Sequence, residues 1–288
     1  MRPAEEALLM LRCPLGREVT VLNASEYRML AERMALQREK GELTAALLTS
    51  MGFPESFSAR VAALLEPTPV VRRYLASVPS MTVLTRISPG FPQRLRLLGE
   101  ECPPALFCLG DVGILQTPCV ALVGARELRP ENRRFAERIG TLAAEAGLTL
   151  VSGGARGADD AAQGACLATG GRVICFVPDE LTRRTPRERV LYISDEGCDC
   201  AFSTRRALRR NHYIHALGEC VFVAQCEAGR GGSWAGASDN LRRGLSTVYA
   251  ADDGSPGAAE LMRLGALPIP LLPQKLPENR AEQLSIFD

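Results

Sequence analysis

Three glycine-containing segments each carry an arginine or a serine beside them: Gly124-Ala125-Arg126, Ser152-Gly153-Gly154-Ala155-Arg156-Gly157-Ala158-Asp159, and Gly229-Arg230-Gly231-Gly232-Ser233. Each follows a short apolar run, Val120 to Val123, Leu148 to Val151 and Cys220 to Ala224 respectively. A glycine at the end of a strand lets backbone approach an anion closely, and the N–H groups opening the next helix favour negative charge. An arginine in the same loop adds a forked donor matched to phosphate. The chemistry expected is therefore phosphate or polynucleotide binding. Glycines are also common at such turns for conformational reasons alone, so the repetition at successive strand ends carries more weight than any one loop. No G-x-G-x-x-G with a following acid and no G-x-x-x-x-G-K-[ST] occurs, which argues against dinucleotide oxidoreductases and P-loop nucleotide hydrolases.

The elements that would position these loops alternate in a regular way. Strands are expected at Cys119 to Val123, Leu148 to Val151, Arg172 to Val177, Cys220 to Ala224 and Ser246 to Ala250. Helices are expected at Pro130 to Ala146, Ala158 to Thr169, Ala207 to Leu217, Ser233 to Arg243 and Pro256 to Leu264. Apolar strands alternating with amphipathic helices imply right-handed crossovers and a parallel sheet covered on both faces. The expected class is α/β: a Rossmann-like, doubly wound, mostly parallel sheet over residues 81–267, preceded by a small all-helical domain over residues 1–80. In that first part helices are expected at Ala4 to Leu11, Ser25 to Arg38, Leu43 to Met51, Ser56 to Glu66 and Val70 to Val78, with Ser25 and Ser56 as N-caps. Leu47 to Leu65, around Met51-Gly52-Phe53-Pro54, reads as a helical hairpin, and plain packing explains it better than DNA contact does. Residues 268–288, rich in Pro, read as an extended tail.

Composition sets outer limits. The chain has 288 residues, 46% hydrophobic and 23% charged, with a formal net charge of +1. No apolar run reaches the length of a membrane span, and the first residues lack a signal-peptide pattern. Ten scattered Cys and only two His point to reduced thiols in a cytoplasmic protein without a metal site or cofactor. Of 34 basic residues only Lys40 and Lys275 are lysines, and Leu181 to Arg243 holds 11 Arg against 7 acidic residues. Such a local excess in a nearly neutral chain is the footprint expected for nucleic-acid phosphates. Phe202, Tyr213 and Trp234 are the aromatic residues near enough in sequence to stack on bases.

The order of the motifs resembles the DNA-processing protein A (DprA/Smf) family. The pieces are Phe91-Pro92-Gln93-Arg94-Leu95, Pro104-Ala105-Leu106-Phe107, Val123-Gly124-Ala125-Arg126, Ser152 to Asp159, Arg210-Asn211-His212-Tyr213-Ile214, Gly232-Ser233-Trp234-Ala235-Gly236-Ala237 and Leu261 to Ala266. They run over roughly residues 90 to 267. The resemblance implies a non-catalytic protein that binds single-stranded DNA, forms a homodimer and loads a RecA-type recombinase, as in natural transformation or recombination. Carried over by motif, the nucleic-acid site would comprise Gly124, Arg126, Ser152, Gly153, Arg156, Gly157, Arg210, Asn211, Gly232 and Ser233. This chain departs from the family pattern at Ala125, Gln163, His212 and Gly236, and the C-terminal winged helix that many members carry is not expected in it. The alternative is a nucleotide sensor, or a phosphoribohydrolase-type enzyme on a related fold. That enzyme would need a carboxylate after Gly231-Gly232-Ser233, where only Asp239 is available.

The last residues form a separate feature. Gln283, Leu284, Ile286 and Phe287 resemble the short peptide with which bacterial replication and repair proteins dock to the sliding clamp, an apolar motif on a polar leash.

Overall fold

A computed structural model describes residues 1–277 except positions 14, 16, 18, 37–40 and 67. The expected clamp peptide at 283–288 lies outside the described residues. Helices α1 (Pro3–Arg12), α2 (Ala24–Leu36), α3 (Ala45–Ser50), α4 (Glu55–Leu65) and α5 (Thr68–Ala76) come first. Two strands follow, β1 (Thr82–Thr85) and β2 (Ala105–Leu109). The alternating part is β3 (Cys119–Val123), α6 (Pro130–Glu145), β4 (Thr149–Ser152), α7 (Ala158–Ala168), β5 (Arg172–Phe176), β6 (Val190–Ser194), α8 (Thr204–Leu217), β7 (Cys220–Val223), α9 (Gly231–Arg243), β8 (Thr247–Ala251), α10 (Pro256–Arg263) and β9 (Leu267–Ile269).

All nine strands form one sheet in the order β1-β2-β6-β5-β4-β3-β7-β8-β9. From β6 to β9 every neighbouring pair is parallel; β2 runs antiparallel to both β1 and β6. The central strands are buried on both faces, as near-continuous apolar runs require. Alternate side chains divide between two cores. Val120, Leu122 and Leu150 join α1, α6 and α7, whereas Ala121, Val123 and Val151 join α8, α9 and α10. The chain winds outward from β3 in both directions, so β3 and β7 flank the point where the order reverses, the place where such sheets bind ligands.

Four strands escape the sequence pattern. β1 and β9 lie at the two edges of the sheet, β2 is a buried five-residue strand flanked by 3-10 segments instead of long helices, and β6 follows β5 after a connection that holds only a 3-10 turn at Leu181–Arg183. The proposed caps also differ. Asn23 caps α2 by accepting the Glu26 N–H while Glu26 accepts from Asn23, and Pro54 precedes α4, which places Ser25 and Ser56 inside the first turns.

Residues 268–276 are held against the domain where the Pro-rich composition suggests an extended tail. β9 pairs with β8, Leu271 and Leu276 pack on the core, and Arg138 donates to the carbonyls of Pro273 and Gln274 at 3.0 Å each. Apolar residues at 267, 269, 271 and 276 can reach the core between the prolines, and that burial outweighs a composition that otherwise favours an extended chain.

The helices of residues 1–80 have their own core around Leu8, Tyr27, Leu30 and Leu48, yet α1 also presents Leu9 and Met10 to the sheet. Glu5 fixes this contact. It accepts from the Arg2 N–H and guanidinium at 2.8 Å each and from the Ser88 hydroxyl at 2.7 Å. Burial alone would raise its pKa, but these three donors hold it down at about 2. The depressed folded value adds stability that is present above the ordinary glutamate range and disappears as pH falls toward 2. The melting difference between the wild type and Glu5→Gln should therefore be full at pH 6 and shrink between pH 4.5 and 2. A difference independent of pH would remove Glu5 from this role.

Candidate nucleic-acid interface

The first loop leaves β3 at Gly124 and is fixed at once. The Ala125 N–H donates to the Gln225 carbonyl at 2.9 Å, and the Ala125 carbonyl accepts the Ala158 N–H at 3.2 Å, joining the ends of β3, β7 and α7. A methyl group at Gly124 would lie 2.5 Å from the Ala158 Cβ. Gly157 has φ +91° and presses against the carbonyls of Ala125 and Arg126, a conformation and an approach that only glycine tolerates. The arrangement turns Arg126 outward, and Arg156 emerges from the adjacent loop; both are exposed and neither has an acidic partner among the described residues.

Beneath the second loop lies a buried charge pair. Asp159 is 6% exposed and accepts the N–H groups of Gly153 at 3.2 Å and Ala155 at 3.1 Å. Burial raises its carboxyl to a pKa of about 6, against the pull of the Arg210 guanidinium and the two amides. Arg210 in turn donates to the carbonyls of Gly153 and, at 3.0 Å, Phe176. Burial lowers its pKa and the Asp159 charge raises it. Arg210 therefore holds the loop from below instead of presenting a free guanidinium, because α8 buries that side of its surface against β4 and β5. Ser152 is likewise fully buried, its hydroxyl accepting from the Gln163 amide at 2.5 Å.

The third segment starts α9. Its N-cap, Arg230, makes no side-chain cap, so the first-turn N–H groups of Gly231, Gly232 and Ser233 lack a side-chain partner from the cap residue. Asn211 on α8 donates to the Gly232 carbonyl at 3.2 Å and sets the spacing between the two helices.

Together these elements enclose a cleft of about 600 Å3 at the carboxyl ends of β3 and β7. Of the ten residues singled out in the sequence, Gly124, Arg126, Arg210, Asn211, Gly232 and Ser233 line it. Ser152, Gly153, Arg156 and Gly157 lie at the connection from β4 to α7 beside it and do not line it. Among the lining residues outside that set are two exposed apolar ones, Phe202 and Leu208, which are 56% and 45% exposed. Leu208 lies on α8 and Phe202 just before it; the helix begins three residues earlier than expected because Ser203 accepts the Arg206 N–H at 3.2 Å. With that cap recognised, Thr204, Ala207, Leu208 and Asn211 fall at helical spacing on one face. The other two aromatic candidates are inside: Tyr213 donates to Asp195 at 2.7 Å, and Trp234 is half-buried against the core.

The four departures from the family pattern have structural partners too. Gln163 binds Ser152, as above, and Ala125 serves through its backbone. His212 contacts Glu101 at 3.2 Å and does not line the cleft. Gly236 lies against buried His215, where a larger side chain would meet the Nε2 atom; burial depresses the His215 pKa to about 3 and keeps the ring neutral. Asp239 lies away from the cleft on α9, ion-paired with Arg242 and, at 3.4 Å, Arg243.

Residues 82–269 match the model of the DNA recombination-mediator protein A family, about two thirds of the chain. The chain belongs to that family. It is similar to Protein Smf of Synechocystis sp., 35% identical over 120 residues, a match that covers 38% of this chain and 30% of that relative. The chain thus spans less than a third of the length of the curated relative it matches. Its fold is that of DNA processing protein A from Streptococcus pneumoniae: TM-score 0.71, 21% identity, 93% of this chain and 95% of that one covered. DNA processing protein A from Helicobacter pylori, whose structure concerns its mode of binding single-stranded DNA, superposes with a TM-score of 0.58. It is 25% identical over 66% of this chain and 90% of its own. Among the described residues no helix is long and apolar enough to cross a membrane.

Proposed function

We propose that this protein binds single-stranded DNA in the cleft at the carboxyl edge of its sheet, without catalysis, and assists recombinase loading or DNA processing as a cytoplasmic homodimer. The observation that carries this reading is that two exposed guanidinium groups without an acidic partner among the described residues, Arg126 in the cleft and Arg156 on the loop beside it, stand with the exposed ring of Phe202, which lines the same cleft. Phosphates would meet the arginines and the first-turn amides of Gly232 and Ser233. An unpaired base would stack on Phe202, an interaction worth about 1–3 kcal/mol per base. The Helicobacter pylori relative supports the choice of single strands.

Geometry also weighs against the phosphoribohydrolase alternative. Acid/base chemistry at a glycosidic bond needs a positioned carboxylate. Asp239 is engaged outside the cleft; Asp159 is tied to two loop amides near the Arg210 charge; Glu227 pairs with Arg230 at 3.2 Å on the exposed rim. Purified protein should release no free base from nucleoside monophosphates. Multiple turnovers that disappear in Asp159→Asn or Asp239→Asn would replace the binding reading with an enzymatic one.

The final residues supply a second contact in this proposal. Leu284, Ile286 and Phe287 would be apolar anchors for the sliding clamp and Gln283 an orienting hydrogen-bonding group. Burying each anchor contributes roughly 1.5–3 kcal/mol before ordering costs, enough for micromolar docking. Deleting residues 283–288 should abolish co-elution with a bacterial sliding clamp while leaving the melting temperature and DNA affinity unchanged. Full-length protein that fails to bind the clamp well above micromolar concentration would reject the motif.

A further inference from the structure

A second compartment of about 580 Å3 lies on the far side of α8, between the sheet and the N-terminal helices. Leu208 lines both this compartment and the DNA-binding cleft, so the two spaces meet over one exposed apolar side chain. Its charges divide into spent and unspent. Asp195 takes Arg209 at 2.7 Å, Glu196 takes Arg209 and, at 3.1 Å, Arg206, and Glu101 takes Arg243 and His212. Arg12, at the end of α1, and Arg205, on the exposed face of α8, have no acidic partner among the described residues, against a single unpaired acid, Glu100. Val21, Pro104 and Leu208 supply apolar surface between them.

From this arrangement we infer that the compartment is a second nucleic-acid subsite, in which a strand leaving the cleft passes over Leu208 and sets its next phosphates against Arg205 and Arg12. The N-terminal helices are then part of the DNA-binding surface, through the carboxyl end of α1. Continuity with the cleft and two unspent cations favour a polyanion with unpaired bases over a peptide, for which the neutralised acids offer no free charge. The inference rests on the cleft binding single strands.

Length dependence tests it. Fluorescence anisotropy on the full-length chain would compare labelled oligothymidylates of about 6 and about 16 nucleotides, within the site sizes seen for single-strand binders. The double variant Arg12→Ala/Arg205→Ala should lose about tenfold in affinity for the longer strand and stay within twofold for the shorter, whereas Arg126→Ala should weaken both. The Lys/Lys variant at the same positions should keep most of the affinity for the longer strand. An unchanged longer-strand affinity, with Arg126→Ala still weakening both, overturns the subsite and leaves the cleft standing. Equal losses at both lengths also overturn it, and Arg205→Ala alone, on an exposed side chain, gives the same comparison should the double variant melt early. No effect of Arg126→Ala at either length removes the cleft and this inference together.

Discussion

Replacing Arg210 with Met should lower stability by about 3–5 kcal/mol, the cost of leaving a buried carboxylate without its counter-charge. For a domain of this size that is on the order of 10 °C in melting temperature. Met fills much of the same space, so the loss reports charge and hydrogen bonds more than a cavity. The Gly153 and Phe176 carbonyls lose their donor, and Asp159 faces only the two loop amides. The Asp159 carboxyl is already raised to about 6 by burial, and removing Arg210 raises it further. A raised folded value means the penalty belongs to the ionised form. The deficit of Arg210→Met should therefore be largest at neutral pH and shrink as pH is lowered through 6. Adding Asp159→Asn should recover part of the loss, a coupling expected of two nearby charges that both bond the Gly153 backbone. Equal deficits at pH 5 and pH 8, or additive losses in the double variant, would show that the pair does not hold the loop.

The second large effect concerns binding. Arg126→Ala/Arg156→Ala should weaken single-stranded DNA binding by about a hundredfold at moderate salt, if each charged hydrogen bond contributes about 1.5 kcal/mol. Two phosphate contacts fewer should also flatten the plot of log affinity against log salt by about 1.4, at about 0.7 per contact for single strands. Both side chains are exposed and bonded to nothing among the described residues, so the melting temperature should not move. A normal slope in the double variant would place the phosphates elsewhere.

The centre of the fold could be read from sequence because its parallel strands are uninterrupted apolar runs, each bounded by glycine or a cap and each followed by an amphipathic helix. Cys119 to Val123, followed by Pro130 at the first position of α6, is such a case. β6 was hidden for the opposite reason. Val190 to Ser194 is equally apolar, but the Arg-rich connection before it forms no long helix, so the alternation that marks a crossover is missing. Among site residues, glycines at βα turns were legible because few other residues allow those turns. Arg210 was named through the family motif, but its inward role was not legible, since sequence gives its helix but not the rotation of that helix, which turns the side chain under Gly153. The place of Leu208 on the cleft face depends on where α8 starts, three residues earlier than expected at its Ser203 cap, whereas Phe202, a stacking candidate from the sequence, precedes that cap.

The most direct test of the central claim is one salt titration of the wild-type protein against a single-stranded oligonucleotide, the corresponding duplex and a free nucleoside monophosphate. Cleft binding through Arg126 and Arg156 predicts that the single strand binds tightest, with a slope of log affinity against log salt at least as steep as about −1.4. Tightest binding of the monophosphate with little dependence on salt, or a preference for the duplex, would contradict it.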